Sequence, residues 1–359
     1  MNYFLQNGHL AAVSAMVFLV VNQLIFKWFF GEHDLNVWMF VSIQYFFGGL
    51  GLLSITGFQL TSKDTFKNPL TWSIGFFRLI DSIMFGSALI YISATEASIL
   101  MSFGKIFIFI AARLAFGRLI GLWRLPGLLI LFLPPALVTL SLENGFLNLG
   151  VIFILLTCLA MVIEMILVEK HPTLQRFTLA DRYQSTGVNM VVIGLFFMVL
   201  LLSISFAKTL LEASGNDFIG FLYRNIPNPD HLFSAEMWIW GALTGLLVRA
   251  MYFFFRYFAI VKIQSANYTL IVTSQTLILY IFEHLLIKLG VFKEVTLSDN
   301  LFIYGIVLIF GALLCVGKSY QESIPYKISR TGYRQLRKWK SCISKHAKKI
   351  NHFLNSHCL

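Results

Sequence analysis

Charge is scarce in this sequence. Only 13% of its residues are Asp, Glu, Lys or Arg, 57% are apolar, and the mean hydropathy is +0.75. A soluble domain of 359 residues has too little interior to hide that much apolar surface, so the composition leaves a polytopic membrane protein. Cysteine is nearly absent. Cys158 and Cys315 lie in apolar runs, Cys342 and Cys358 near the end, and none can staple an outside loop. Cys358 is also misplaced for a prenylation box. Standard metal-ligand spacing is missing too: His346, His352, His357 and Cys358 fit no zinc pattern, and no cofactor motif occurs. The first residues lack a basic stretch followed by a small-residue cleavage site, so the first apolar run is expected to stay as an anchor. No His/Asp/Glu grouping suggests an active site at a membrane face, which argues against an enzyme.

What the sequence has is hydrophobic length. Ten runs are long enough to span, near 9–30, 36–58, 70–92, 95–116, 119–140, 146–168, 184–207, 237–259, 264–287 and 301–319. The links between runs 3 and 4, 4 and 5, and 8 and 9 are only a few residues, so those neighbours are expected to be antiparallel hairpins. Pro134 and Pro135 should kink run 5. Basic residues orient the chain. With both termini cytoplasmic, the inside loops carry Lys63, Lys67, Arg118, Arg124, Lys170, Arg176, Arg182, Arg256 and Lys262. The outside loops are then mostly acidic, with Glu32, Asp34, Glu96, Glu143 and Asp217 among them.

A faint repeat lies beneath this pattern. Shifted by 171 positions, Arg78 falls on Arg249, Ala88 on Ala259, Ser98 on Thr269, Ser102 on Thr273 and Phe109 on Tyr280. An arginine in an apolar span costs roughly 2.5–3.5 kcal/mol by insertion scales, so its recurrence suggests a site built by duplication. Five spans reverse direction. The expected architecture is therefore an all-α membrane protein of ten transmembrane helices, arranged as two inverted five-helix repeats (1–140 and 141–320), followed by a basic tail (321–359).

The run A-L-I-Y-I-S-A-T-E-A-S-I-L-M-S-F-G-K-I-F-I-F-I-A-A-R-L-A-F-G (88–117) is similar to the fourth-span signature of the EamA and nucleotide-sugar branches of the drug/metabolite transporter superfamily. N-Q-L-I-F-K-W (22–28) and Q-Y-F-F-G-G-L (44–50) resemble the first two spans of the nucleotide-sugar branch. The resemblance implies ten spans, both ends inside, and transport of a small organic solute. Two departures narrow it. Gly117-Arg118 lacks the glutamate of the usual EamA turn, and V-T-S-Q-T (272–276) stands where GDP-sugar transporters carry G-A-L-N-K, so a GDP-sugar substrate is not expected.

The polar residues inside the spans are the candidate substrate-binding set. Helical spacing puts Ser98, Ser102 and Lys105 on one stripe, and Thr269, Thr273, Thr276, Tyr280 and Glu283 on another. The hydroxyls also suit simple helix packing, the reading preferred for Ser98 and Thr269. Arg78 and Asp81 are three apart and can pair on their own helix, whereas Arg249 has no acidic residue within four positions. Its partner is expected to be Glu164, Glu283, or a bound carboxylate or phosphate, which a guanidinium grips with two parallel bonds. Glu164 and Glu283 are read either as proton-coupling carboxylates or as salt-bridge partners. Arg78, Lys105 and Arg249 against Asp81, Glu164 and Glu283 leave no net field. The aromatic run from Tyr252 to Tyr257 suits a purine or a lipophilic drug equally well.

Residues 318–359 hold ten of the 28 Lys and Arg and a single acidic residue, Glu322, and so carry +9 of the net +11. Apolar positions spaced by three and four from Tyr333 to Leu354 predict an amphipathic helix on an anionic lipid surface, with no sign of nucleic-acid binding. The function expected from these features is secondary transport of a small, anionic or nucleotide-like solute, with proton or counter-solute coupling possible. Export of lipophilic or cationic compounds, and a membrane adaptor working through the tail, are the alternatives.

Overall fold

The computed structural model describes residues 8–32, 35–56, 67–116, 125–171, 179–212, 232–292, 298 and 300–316. The predicted tail helix lies outside these residues. All elements among them are helical: α1 (Gly8–Glu32), α2 (Val37–Thr56), α3 (Pro69–Ala88), α4 (Ala94–Leu100), α5 (Ser102–Phe116), α6 (Leu125–Ser141), α7 (Leu149–Lys170), α8 (Leu179–Glu212), α9 (Ala235–Thr244), α10 (Ala250–Val272), α11 (Gln275–Lys288) and α12 (Asn300–Val316). A π-helical turn, Gly245–Arg249, joins α9 to α10.

Six segments are long and apolar enough to cross a membrane: Gly8–Gly31, Val37–Ile55, Ala94–Ala111, Leu149–Val168, Arg182–Lys208 and Ala235–Ile260. Leu125–Ser141 and Asn300–Cys315 are apolar but shorter. The chain is a helical membrane protein. The two remaining predicted runs miss that standard for physical reasons. Run 70–92 coincides with α3, which carries Arg78 and Asp81, and run 264–287 is broken by a turn at Thr273-Ser274 into the end of α10 and the 14-residue α11.

Local sequence sets several of the ends. Asn68 caps α3 by accepting from Leu70 N at 3.0 Å, and Pro69 stands at its first turn, where a missing N–H costs nothing. Ser93 and Glu96 form a reciprocal capping box at the start of α4. Asn148 caps α7 through Gly150 N. Pro134 and Pro135 are both buried inside α6, which continues through them.

Three helix pairings dominate the packing: α2 on α8, α1 on α10, and α3 on α7. The first is a near backbone-to-backbone contact. A Cβ on Gly49 would stand 2.6 Å from the Gly187 carbonyl, and one on Gly194 would stand 2.8 Å from Phe46 N. Small residues permit that approach, which drives association where lipid offers no hydrophobic contrast. Helix α3 runs antiparallel to α7: Thr71 meets His171, Arg78 meets Glu164, and Asp81 lies beside Thr157. The turn 89–93 sends the chain back, and Gly104 of α5 reaches Met161 and Cys158 of α7.

Helix α1 runs antiparallel to α9 and the first half of α10, with Trp28 against Trp240 and Phe18 against Phe255. Met16 nevertheless meets Ser274 at 3.0 Å. A straight helix from Phe255 to Ser274 would be about 28 Å long. The chain therefore reverses direction between Phe255 and Ser274, and α11 returns alongside α1.

Candidate functional site

The middle of the bundle holds a network of charges. Glu164 of α7, 2% exposed, accepts from Arg78 Nε at 2.9 Å and Nη2 at 2.8 Å, and from Arg256 Nη2 at 3.2 Å. Arg78 Nη2 also donates to the Tyr257 hydroxyl. The antiparallel packing of α3 on α7 brings the Arg78–Glu164 pair together. Arg256 arrives from α10, two helical turns beyond Arg249, on the face it shares with Arg249 and Tyr252.

Arg249 is held differently. Its Nη2 donates to Tyr45 Oη at 2.6 Å and to Ser82 Oγ, and no carboxylate among the described residues pairs with it. Tyr45 in turn donates to the Arg78 carbonyl at 2.6 Å, linking the two arginines through one hydroxyl. The Phe253 ring lies 5.1 Å from the guanidinium carbons of both Arg78 and Arg249 and 5.9 Å from that of Arg256. A ring face so placed offers each cation about 0.5–2 kcal/mol, which offsets part of the desolvation cost. Arg249 sits at the end of the π turn, where the helix carries one extra residue and re-aims the side chains that follow.

A cavity of about 110 Å³ opens beside this network. Its ionisable wall is formed by Asp81, Lys105, Arg249 and Arg256, with Tyr252 and Tyr268 between them. Asn22, Gln23 and Gln275 add amides from α1 and α11, and Phe26, Phe85 and three methionines are among the apolar residues that line it. Each water needs about 10–15 Å³ by this measure, so the space suits several waters or the polar end of a small metabolite. Arg249 Nε, Arg256 Nε, Gln23 Oε1 and Gln275 Oε1 are buried and have no hydrogen-bond partner among the described residues. Lys105 Nζ donates to Ser102 Oγ at 3.2 Å and meets no acidic group there. Among the described residues the Asp81 carboxylate has no hydrogen-bonded or ion-paired partner, while its backbone carbonyl accepts from Thr157.

Several expectations change. Arg78 pairs with Glu164 across two helices, not with Asp81 on its own, because a guanidinium reaches an antiparallel neighbour at hydrogen-bond distance with both nitrogens aligned. Glu164 is consequently taken by Arg78 and Arg256 and does not serve Arg249. Glu283 is away from the cavity. It accepts from Ala94 N, Thr95 N and Thr95 Oγ1 at 2.6–2.9 Å, holding the first turn of α4, where an anion complements the exposed N–H groups. Thr276 bonds Ser98 across helices at 2.9 Å, the packing role preferred for Ser98, and neither it nor Thr273 lines the cavity, although Thr273 is fully buried. The Thr269 side chain lies outside the description.

The largest omission from the sequence reading is Arg256. Taken there for an inside-loop residue, it is 7% exposed and bonded to Glu164. Its seven-residue spacing from Arg249 was the available signal. Tyr45 and Ser82 had no signal at all. With Arg256 added and Glu283 removed, Arg78, Lys105, Arg249 and Arg256 face Glu164 and Asp81 among the described residues. The expected neutrality becomes a surplus of positive charge.

Neither protein-family models nor curated protein sequences match the chain. Solved structures do. One crystal structure has a TM-score of 0.53 and 12% identity, covering 86% of this chain and 96% of the other. At that identity the similarity concerns the fold alone.

Proposed function

We propose that the chain is a secondary transporter that moves a small organic anion by alternating access through the cavity beside Arg249. One observation carries this reading: among the described residues three basic side chains on the cavity wall face a single carboxylate, and two of their guanidiniums keep a buried N–H unpartnered. Buried charge without a partner is costly, so an oxyanion entering there gains bonds the protein has left unmade. The bidentate geometry of arginine favours carboxylate, sulfate or phosphate groups.

The architecture proposed for this activity is ten crossing segments, five in each half. The alternation of α1 with α9–α10 and of α3 with α7 supports it, as does the placement of Arg78 and Arg249 around a shared tyrosine. Two inverted halves rocking about a fixed central site would expose it to each side in turn. Both termini are then cytoplasmic, with the basic tail resting on anionic lipid. The resemblance of residues 88–117 to the drug/metabolite transporters fits the same activity. A second reading, export of a lipophilic cation, is favoured by Asp81 and the apolar part of the wall.

Uptake of radiolabelled anionic metabolites into proteoliposomes decides between them. Arg249→Ala should abolish anion uptake, and Arg249→Lys should weaken it by losing the fork while keeping the charge. Undiminished uptake by Arg249→Ala, normalised to folded protein, would make this arginine structural and remove the anion reading.

A further inference from the structure

The carboxylates of the bundle are not equivalent. Glu164 accepts three charge-assisted bonds from two arginines, and Glu283 accepts three bonds at the start of α4. Both are committed to the fold. Among the described residues Asp81 accepts no hydrogen bond through its side chain; it is only partly covered and shares the cavity wall with Arg249, Arg256 and Lys105. It is a carboxylate that a solute entering the cavity would meet.

We propose that Asp81 couples anion transport to a proton, accepting one when the anion binds and returning it when the anion leaves. This rests on the anion reading above. In the empty cavity an ionised Asp81 offsets part of the charge of Arg249 and Arg256. An arriving oxyanion takes over that role and places a second negative charge in the same low-dielectric space. Two carboxylate-like charges sharing such a site favour protonation of one of them. Proton uptake converts Asp81 from carboxylate to carboxylic acid, with the proton drawn from water on the side from which the anion enters. Release on the far side reverses both steps, so anion and proton travel together and nothing is oxidised or reduced.

The surroundings single out Asp81 for this part. The charges facing it are Glu164 on α7, Arg256 and Arg249 on α10 and its π turn, and Arg78 one turn along α3. Helix α7 also presents the Cys158 thiol, α2 the Tyr45 hydroxyl, and α5 the Lys105 ammonium across the cavity. Helix α1 contributes the uncharged Asn22 and Gln23 at this level. Helix α8 touches α3 far from Asp81, through Asn189 on Thr71 and Phe197 on Phe76. Among the acids, Glu164 is fixed by two arginines and Cys158 is a weak one. Asp81 is left as the group free to change state.

The test is calorimetry of sodium sulfate binding to the purified full chain, in two buffers of different ionisation enthalpy, between about pH 6 and pH 8, a range in which sulfate itself does not titrate. Coupling predicts net uptake of about one proton per sulfate and an affinity that falls up to tenfold per pH unit on the alkaline side. Asp81→Asn, already neutral, should bind sulfate without proton uptake and with little pH dependence, keeping at pH 8 the affinity that the native chain shows at pH 6. Asp81→Glu should restore the uptake. Sulfate binding by the native chain without proton uptake, or unchanged uptake in Asp81→Asn, overturns the coupling and leaves the anion site standing. Absence of sulfate binding at every pH, with melting of the native chain and Arg249→Ala equally insensitive to sulfate, overturns the anion reading, and the coupling falls with it.

Discussion

Arg78 and Arg249, 171 positions apart, meet around Tyr45 yet are held in opposite ways. Arg78 is 2% exposed and spends its nitrogens on Glu164 and Tyr257. Arg249 is nearly as buried, rests on two neutral hydroxyls and an aromatic ring, and keeps its Nε unpartnered among the described residues. Burial does not separate them; the presence of a carboxylate does. A buried ion pair with further hydrogen bonds locks helices together, while a buried charge on neutral acceptors and rings leaves room, on the reading proposed above, for an anion. The same residue type thus serves as a pin in one place and, on the proposed reading, as a receptor in the other.

Removing the pin tests that contrast most severely. Glu164→Gln keeps the shape but strands Arg78 and Arg256 without their carboxylate, and breaking a buried pair in this way costs about 3–5 kcal/mol. Unfolding in detergent should show that loss. Arg78→Ala should destabilise the bundle nearly as much, whereas Arg249→Ala strands no carboxylate and should cost only about 1–3 kcal/mol from its lost bonds. Equal destabilisation by the two arginine variants would erase the distinction between pin and receptor.

A milder effect is expected at the other committed carboxylate. Glu283→Gln replaces a charged acceptor by a neutral one at the first turn of α4, and it should lower stability by about 1–2 kcal/mol, measured in the same unfolding assay. Anion binding should be unaffected, because Glu283 does not line the cavity. A change in sulfate affinity would show instead that the ends of the bundle and its centre are coupled.

The smallest effect concerns the far end of α3. His171, just past the end of α7, bonds Thr71 at 2.9 Å, and burial lowers its pKa below the ordinary 6.5. A histidine with a lowered folded-state pKa contributes stability that is complete above pH 6.5 and is lost as the pH falls through the lower value. The difference in melting temperature between the native chain and His171→Gln should therefore shrink on acidification. A difference constant from pH 7.5 to about pH 5 would show that the ring does not anchor α3.

Much of this was legible in the sequence. Uninterrupted hydrophobic length reports membrane class directly, because backbone in lipid must satisfy itself within a helix. The expense of a buried arginine drew attention to Arg78 and Arg249, and spacing by three and four placed Lys105 beside Ser102. Arg256 was hidden by its closeness to Lys262, which made a buried residue resemble an inside-loop charge. The Arg78–Asp81 pairing was the natural local reading, since only the residues on one helix can be seen to be neighbours.

The sequence by itself determined a helical membrane protein with charges at particular depths, because composition and periodicity are local properties read along one chain. Which charges meet was decided by tertiary structure. Antiparallel packing of α3 on α7 brought Glu164 to Arg78, and the reversal between Phe255 and Ser274 carried Tyr268 and Gln275 to the cavity that Arg249 and Arg256 share. Arg78 had Asp81 beside it on its own helix, whereas Arg249 had no carboxylate within four positions and only candidates on other spans. The register between α3 and α7 selects one pairing, and Asp81 and Arg249 are left on the cavity wall.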